Sequence, residues 1–337
     1  MSAIPSAISS PIPSVDVVST RLSLSIALAT YNGERYLAEQ LESILRQTRL
    51  PDELVISDDA SIDATRAIVL DFARHAPFPV CLQENKERLG STRNFEGAIR
   101  GCGGDIIFLC DQDDVWYPNK IALIEERFIN NPAASIVFTD ADVVDQDLHP
   151  LGLRLWEAVR FSLAEQAEVA AQGAFSVLLK RFTVTGATMA FRSSYRDLVL
   201  PISDLWVHDG WIALLIGAVS QLVALPTPLI GYRQHSANQI GIPRRGRNHG
   251  KTCAVIHGPQ VLRYEAVLTR LQEFADLLPG SRQNIHRLDE TLAFLRARAA
   301  LPDTRWRRLP GALRELAALR YHRYAKGLKS FRKDLLR

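Results

Sequence analysis

The 337-residue chain predicts an α/β fold: a mostly parallel sheet flanked by helices, with a helical, basic extension at the C-terminus. Three observations predict it. Apolar runs of strand length alternate with amphipathic runs of helix length through the first half. Each apolar run ends in polar residues at its carboxyl end, and basic charge collects in the last stretch of the chain.

Residues 1–21, rich in Ser, Pro and small side chains, read as a flexible leader outside the core. Leu24 to Ala29 is the first strand, followed by Thr30-Tyr31-Asn32-Gly33 and a helix with Leu37, Leu41, Ile44 and Leu45 on one face. Pro51 and Asp52 mark a turn before the strand Leu54 to Ser57. Asp58-Asp59-Ala60-Ser61 then leads into a helix carrying Ala64, Ala67, Ile68 and Phe72. Pro79 to Leu82 is a third strand, Thr92 to Ile99 a helix and Asp105 to Cys110 the fourth strand. Successive β–α units of this kind make parallel neighbours through right-handed crossovers. The polar tips, Thr30 to Asn32, Asp58 and Asp59, Asn85, and the run Asp111-Gln112-Asp113-Asp114-Val115-Trp116, then meet along one edge, where open α/β sheets bind ligands.

The last tip is the most informative. Three carboxylates set directly after a buried strand repel one another unless a cation, a proton or a hydrogen-bond donor compensates them, and a divalent metal carrying a diphosphate does so directly. A turn with helix-capping acids before Pro118 is the plainer alternative. No Gly-x-x-x-x-Gly-Lys-Ser/Thr loop follows any strand, and Gly101-Cys102-Gly103-Gly104 precedes a strand rather than joining a strand to a helix. Neither a P-loop nor a dinucleotide fold is supported, so a base would be held by side chains such as Tyr31 and Asp59.

Composition sets the outer limits. An apolar fraction of 47% supplies a full core. Cys81, Cys102, Cys110 and Cys253 lack metal-type spacing, which suits core filling in a reduced, cytoplasmic compartment. No apolar run reaches the roughly 18 residues of a membrane span, and the N-terminus lacks a signal-peptide layout, so a soluble protein is expected. Net charge is +3, yet residues 303–337 hold eleven Lys or Arg against three acids. Trp306, Leu309, Leu313, Leu316, Leu319, Tyr321, Tyr324, Leu328, Phe331 and Leu335 are spaced there as amphipathic helix faces. Such a segment either contacts an anionic membrane surface or packs on its own domain with its charges in solvent. Nucleic acid is not an expected partner.

Several motifs carry a resemblance. Ala29-Thr30-Tyr31-Asn32-Gly33, Ser57-Asp58-Asp59-Ala60-Ser61 and the Asp111 to Trp116 run resemble, in this order, the donor half of family 2 glycosyltransferases with the GT-A fold. Arg88 to Phe95, Thr185 to Phe191, His208-Asp209-Gly210-Trp211 and Tyr232 to Asn238 resemble its bacterial rhamnosyltransferase-type branch. The resemblance covers roughly residues 22–240, and no motif is recognised beyond about 245. It implies a GT-A domain over 22–245, with a donor half at 22–140 and an acceptor half at 141–245, followed by a basic helical region at 246–337.

The resemblance also implies roles. Ala29, Thr30, Tyr31, Asn32, Glu34, Asp59, Asn85, Arg93, Asp111 and Gln112 would bind a nucleotide-diphosphate sugar. Asp113 and His235 would hold Mn²⁺ or Mg²⁺, with imidazole among oxygen ligands making Mn²⁺ at least as suitable. Asp209 would be the general base of an inverting transfer, since an acceptor hydroxyl is a poor nucleophile until its proton is removed. Family members usually carry an acid just before this base; here His208 precedes Asp209 and is itself able to tune or replace it. Gly186, Thr188, Trp206, His208 and Trp211 would form the acceptor side, although both tryptophans also suit a core. The branch implies transfer of rhamnose or a related sugar to a glycan or lipid-linked glycan in surface polysaccharide synthesis. A lipid-linked acceptor would give the basic segment 303–337 a purpose, as a peripheral hold for a cytoplasmic enzyme at the inner membrane face. A sugar nucleotidyltransferase, or a family member that binds sugar nucleotides without transfer, remain the alternatives. The first would want a basic Gly-rich loop that residues 29–33 lack.

Overall fold

The computed structural model describes residues 21–235, 252–276, 278 and 281–336. The expected leader, apart from Arg21, the end of the last motif from Ser236 to Asn238, and the 245/246 boundary lie outside the described residues.

The first strands and helices follow the expected alternation: β1 (Leu24–Thr30), α1 (Leu37–Leu45), β2 (Glu53–Asp58), α2 (Thr65–His75), β3 (Val80–Glu84), α3 (Ser91–Gly101) and β4 (Ile106–Asp111). Then come β5 (Val115–Trp116), α4 (Lys120–Asn130), β6 (Ala134–Val144) and β7 (Pro150–Arg154). Three short helices, α5 (Leu155–Ala158), α6 (Leu163–Ala170) and α7 (Ala174–Lys180), precede β8 (Met189–Arg192), α8 (Arg196–Val199), α9 (His208–Val219) and β9 (Gln221–Arg233).

One nine-stranded sheet runs β3-β2-β1-β4-β8-β6-β9-β5, with β7 paired to β6. Strands β3, β2, β1 and β4 are mutually parallel, β8 is antiparallel to both β4 and β6, and β6 runs parallel to β9. Every residue of β1 is buried, as expected of a central strand covered on both faces.

Two expectations need correction. Helix α2 begins at Thr65, one residue past Ala64, so Thr65 and Val69 are its buried positions, with Ile68 and Phe72 half-buried beside them. Ala64 and Ala67 are exposed. Cys81 is exposed rather than core-filling, because β3 is the edge strand and its whole length is only partly covered.

The C-terminal helices are α10 (Cys253–Glu273), α11 (Arg282–Ala299), α12 (Arg305–Ala317), α13 (Arg320–Tyr324) and α14 (Leu328–Leu336). Tyr264, Val267 and Leu271 of α10, with Leu288, Leu292 and Leu295 of α11, share the core that holds α7 and α9. The Tyr264 hydroxyl donates to the Leu179 carbonyl at 2.9 Å. Helices α12 to α14 instead surround a small apolar cluster of Cys253, Leu301 and Ala312, edged by Phe331 and Leu335. Beside it lies a polar centre. The fully buried Asp334 accepts Arg298 Nε at 2.7 Å and NH2 at 3.0 Å and the Tyr321 hydroxyl at 2.9 Å, and meets His257 Nε2 at 3.2 Å. Among the described residues no helix is long and apolar enough to cross a membrane.

Candidate active site

Parallel register brings the strand tips level. Ala29 pairs with Ser57 on one side and Asp111 on the other, and Thr30 pairs with Asp58. A cavity of about 970 Å³ opens above these ends. Its walls include Ala29, Thr30, Tyr31 and Asn32 from the β1 tip, Asp59 from β2, and Asp111, Gln112 and Asp113 from β4. Gly186, Trp206, His208 and Asp209 also line it, with His235 beyond β9.

Three carboxylates therefore share one space. The Asp111 carboxyl is pushed up to about 7, first by burial and then by the negative charges of Asp113 and Asp209, with Lys120 pulling the other way. Asp113 Oδ2 lies 2.8 Å from His235 Nε2, and Tyr36 packs its ring against that imidazole. Asp209, in the first turn of α9, accepts the Gly186 N–H at 3.1 Å and the Gly210 N–H at 2.6 Å. A Cβ at Gly186 would stand 2.7 Å from His208 Nε2, so glycine is what allows this close approach. His208 is buried and stacked on Phe95 at 3.8 Å. Neither of its ring nitrogens has a hydrogen-bond partner among the described residues, and burial lowers its pKa against the pull of Asp209, leaving a neutral imidazole.

Many of the tip side chains hold the loops together. The Gln112 amide clasps Tyr31 at both ends, accepting its N–H at 2.8 Å and donating to its carbonyl at 3.0 Å. Thr30 Oγ1 donates to Asp58, and Asn32 Oδ1 accepts the Ile62 N–H. Asp59 accepts the N–H groups of Leu89 and Gly90, at 2.6 and 2.9 Å. That places Arg88 over the Tyr31 ring, 4.1 Å from its centre.

Five expected site residues do not line the cavity. Glu34 is spent on the Ala64 N–H, Asn85 bridges Asp59 and Asn94, and Arg93 pairs with Glu96 and Asp204. Thr188 is buried and returns its hydroxyl to the Thr185 carbonyl. Trp211 points into the core, its indole N–H on the Val199 carbonyl at 2.7 Å. Position within α9 separates it from Trp206, which sits before the helix, reaches the cavity wall and donates to the Arg263 carbonyl. Asp114 does not cap α4. It is buried and accepts the Arg233 N–H at 2.9 Å.

Other functional residues escaped the sequence reading. Arg233 is buried, donates to the Asp113 carbonyl at 2.7 Å and the Gln146 carbonyl at 2.6 Å, and pairs with Glu39. It thereby fixes the acidic loop and sets His235, two residues on, beside Asp113. Lys120 lies fully buried beneath the acids, donating to the Ala187 carbonyl at 2.6 Å and packed over the Trp116 ring; burial lowers its pKa to about 7. Arg263 reaches the cavity wall from α10, far from any recognised motif. Each depends on contacts more than fifty residues apart, which local pattern does not encode.

The donor set suits a hard divalent cation. Neighbouring ligands on an octahedral ion stand about 3 Å apart, which the 2.8 Å Asp113–His235 separation matches. The one group of three close metal-type ligands among the described residues, Asp145, Asp147 and His149, is on the turn between β6 and β7 and does not line the cavity.

Comparison with known proteins gives one family. The model of glycosyl transferase family 2 matches residues 25–198, just over half of the chain. An uncharacterized glycosyltransferase of Nostoc, alr2836, is 26% identical over 228 residues, 64% of this chain and 66% of that one. The dTDP-rhamnosyl transferase RfbG of Shigella flexneri is 27% identical over 229 residues, 64% of this chain and 73% of that one. The chain spans 59–66% of the length of the first curated relatives it matches. Among solved structures, Staphylococcus aureus TarS 1–349 in complex with UDP superposes with a TM-score of 0.53 at 14% identity, covering 82% of this chain and 71% of that one. That likeness shows the fold, the GT-A arrangement.

Proposed function

The chain belongs to glycosyl transferase family 2, and from that premise we propose that it is an inverting, metal-dependent glycosyltransferase moving a sugar from a nucleotide-diphosphate donor to a hydroxyl of a glycan or lipid-linked glycan. The observation that carries this reading is the sharing of one cavity by Asp111, Asp113 and Asp209. Residues 22–140 would hold the donor and 141–245 the acceptor.

In this reading the β1 tip, with the Tyr31 backbone clasped by Gln112 and its ring beneath Arg88, receives the nucleotide. Asp113 and His235 would hold Mn²⁺ or Mg²⁺, which when bound neutralises charge growing on the diphosphate leaving group. Asp209 removes the acceptor hydroxyl's proton. Its two backbone hydrogen bonds fix the carboxylate in the cavity wall, and a base opposite the leaving group is what a single in-line displacement with inversion requires. His208 offers a neutral imidazole nitrogen to a second hydroxyl of the acceptor, which would complete its missing hydrogen bond. The relative RfbG, a dTDP-rhamnosyl transferase, supports dTDP-rhamnose as the first donor to try, in surface polysaccharide synthesis on the cytoplasmic side.

The test is a donor screen read by product mass spectrometry, with Asp209→Asn alongside the native chain. We expect the variant to keep nucleotide binding and lose transfer by a factor of about 10²–10⁴. Transfer at the native rate would remove Asp209 from its role. Nucleotide binding without transfer by the native chain, for every donor and acceptor supplied, would favour a non-catalytic binder.

A further inference from the structure

The C-terminal helices present an apolar stripe to solvent. On α12, Trp306 is 86% exposed, Leu309 42% and Leu313 46%. At 3.6 residues per turn these three fall within an arc of about 60°, and Arg305 and Arg307 lie about 100° to either side of Trp306. The opposite face of the same helix, Arg308, Ala312 and Glu315, is buried. Arg308 anchors it, donating to the carbonyls of Pro302, Asp303 and Asp334. The stripe is thus held outward by a fixed inner face.

Folding also sharpens the charge. Of the three acids after residue 302, Glu315 and Asp334 are buried and paired with Arg320 and Arg298. Only Asp303 remains exposed, against eight exposed lysines and arginines among the described residues. A surface combining an exposed tryptophan and leucines with flanking arginines matches the boundary of an anionic bilayer, where acyl chains take up the apolar stripe and headgroups meet the cations. Nucleic acid would satisfy the charge but leave the stripe in water.

We propose that the outer face of α12, centred on Trp306, Leu309 and Leu313, lies in the plane of an anionic lipid surface. The inference is independent of the donor and the reaction, so its test needs no activity.

The protein carries its own reporter. Trp116, Trp156, Trp206 and Trp211 are all buried, and Trp306 alone of the five is exposed. Adding vesicles of phosphatidylcholine with phosphatidylglycerol to the full chain should shift its tryptophan emission to the blue and carry it into the pellet, whereas pure phosphatidylcholine should do so far less. Trp306→Phe should keep sedimentation and lose the shift. Leu309→Asp with Leu313→Asp, on a face that supports no core, should weaken binding about tenfold per residue, and each of Arg305→Gln, Arg307→Gln and Arg314→Gln about fivefold. High salt should weaken the native chain in the same direction. Absence of the shift and of sedimentation on anionic vesicles, or binding indifferent to the leucine pair, would overturn the proposal. So would a shift that appears on raising protein concentration without lipid, since a second copy would then be the occupant.

Discussion

Asp334→Asn is expected to release the last three helices while leaving the sheet domain folded. The carboxylate is fully buried and serves both arms of the Arg298 guanidinium, the Tyr321 hydroxyl and His257. Asparagine keeps one acceptor oxygen and turns the other position into a donor that faces donors, so Arg298 loses its counter-charge inside the protein. Removing one partner of a buried, hydrogen-bonded pair costs about 3–5 kcal/mol. The apolar cluster around Cys253, Leu301 and Ala312 is small, so a loss of this size removes much of what holds α12 to α14. The sheet domain rests on separate and far larger clusters. Trypsin under native conditions should therefore trim the variant within the basic region while sparing the sheet domain, and chemical denaturation should show an early transition absent from the native chain. Acid should act alike on the native protein. Hydrogen bonds from His257 and Arg298 overcome burial and hold the Asp334 carboxyl well below its ordinary value, so the folded state binds fewer protons. Its stabilisation is complete above the unfolded value near about 4 and drains as pH falls below it. The variant should lack that acid-dependent increment. Equal protease resistance, with unfolding displaced by less than about 1 kcal/mol, would refute the reasoning.

Two further outcomes concern the cavity. Gly33→Ala would place a Cβ 2.4 Å from Gln112 Oε1, and Gln112 cannot yield without giving up its two bonds to Tyr31. We expect a stability loss of about 1–3 kcal/mol, with a larger proportional loss of nucleotide affinity; calorimetry with unchanged affinity would contradict this. Metal-dependent nucleotide binding should strengthen as pH rises through about 7, because the Asp111 carboxyl, pushed up to about 7 by burial and its acidic neighbours, sheds its proton there. The same shift has the opposite sign for the metal-free fold: the folded state holds a proton the unfolded chain releases, so this carboxyl's contribution to stability declines between about pH 4 and 7. Titrations with Mn²⁺ and a nucleoside diphosphate at stepped pH, beside metal-free melting curves, check both signs.

The alternation of apolar runs and polar tips made the first four strands, their helices and the edge on which they end legible from the chain alone. Strand and helix period are local properties, and short β–α crossovers leave little freedom in how neighbours pair. The contiguous run from Asp111 to Trp116, the Thr30 to Gly33 tip and Asp209 could likewise be singled out, since each is a short motif at the end of an element. Tertiary structure decided the rest. It decided that Gln112 clasps Tyr31 while Asp114 serves Arg233, that Trp206 reaches the cavity while Trp211 enters the core, that Lys120 lies under the acids, and that Arg263 arrives from a helix beyond every motif. It also decided the face of the basic tail, by burying two of its acids and turning Trp306 outward. These outcomes depend on register, burial and partners far apart in sequence. A residue's type states what bonds it is able to make; only the packed chain determines which of them water or a distant partner will satisfy.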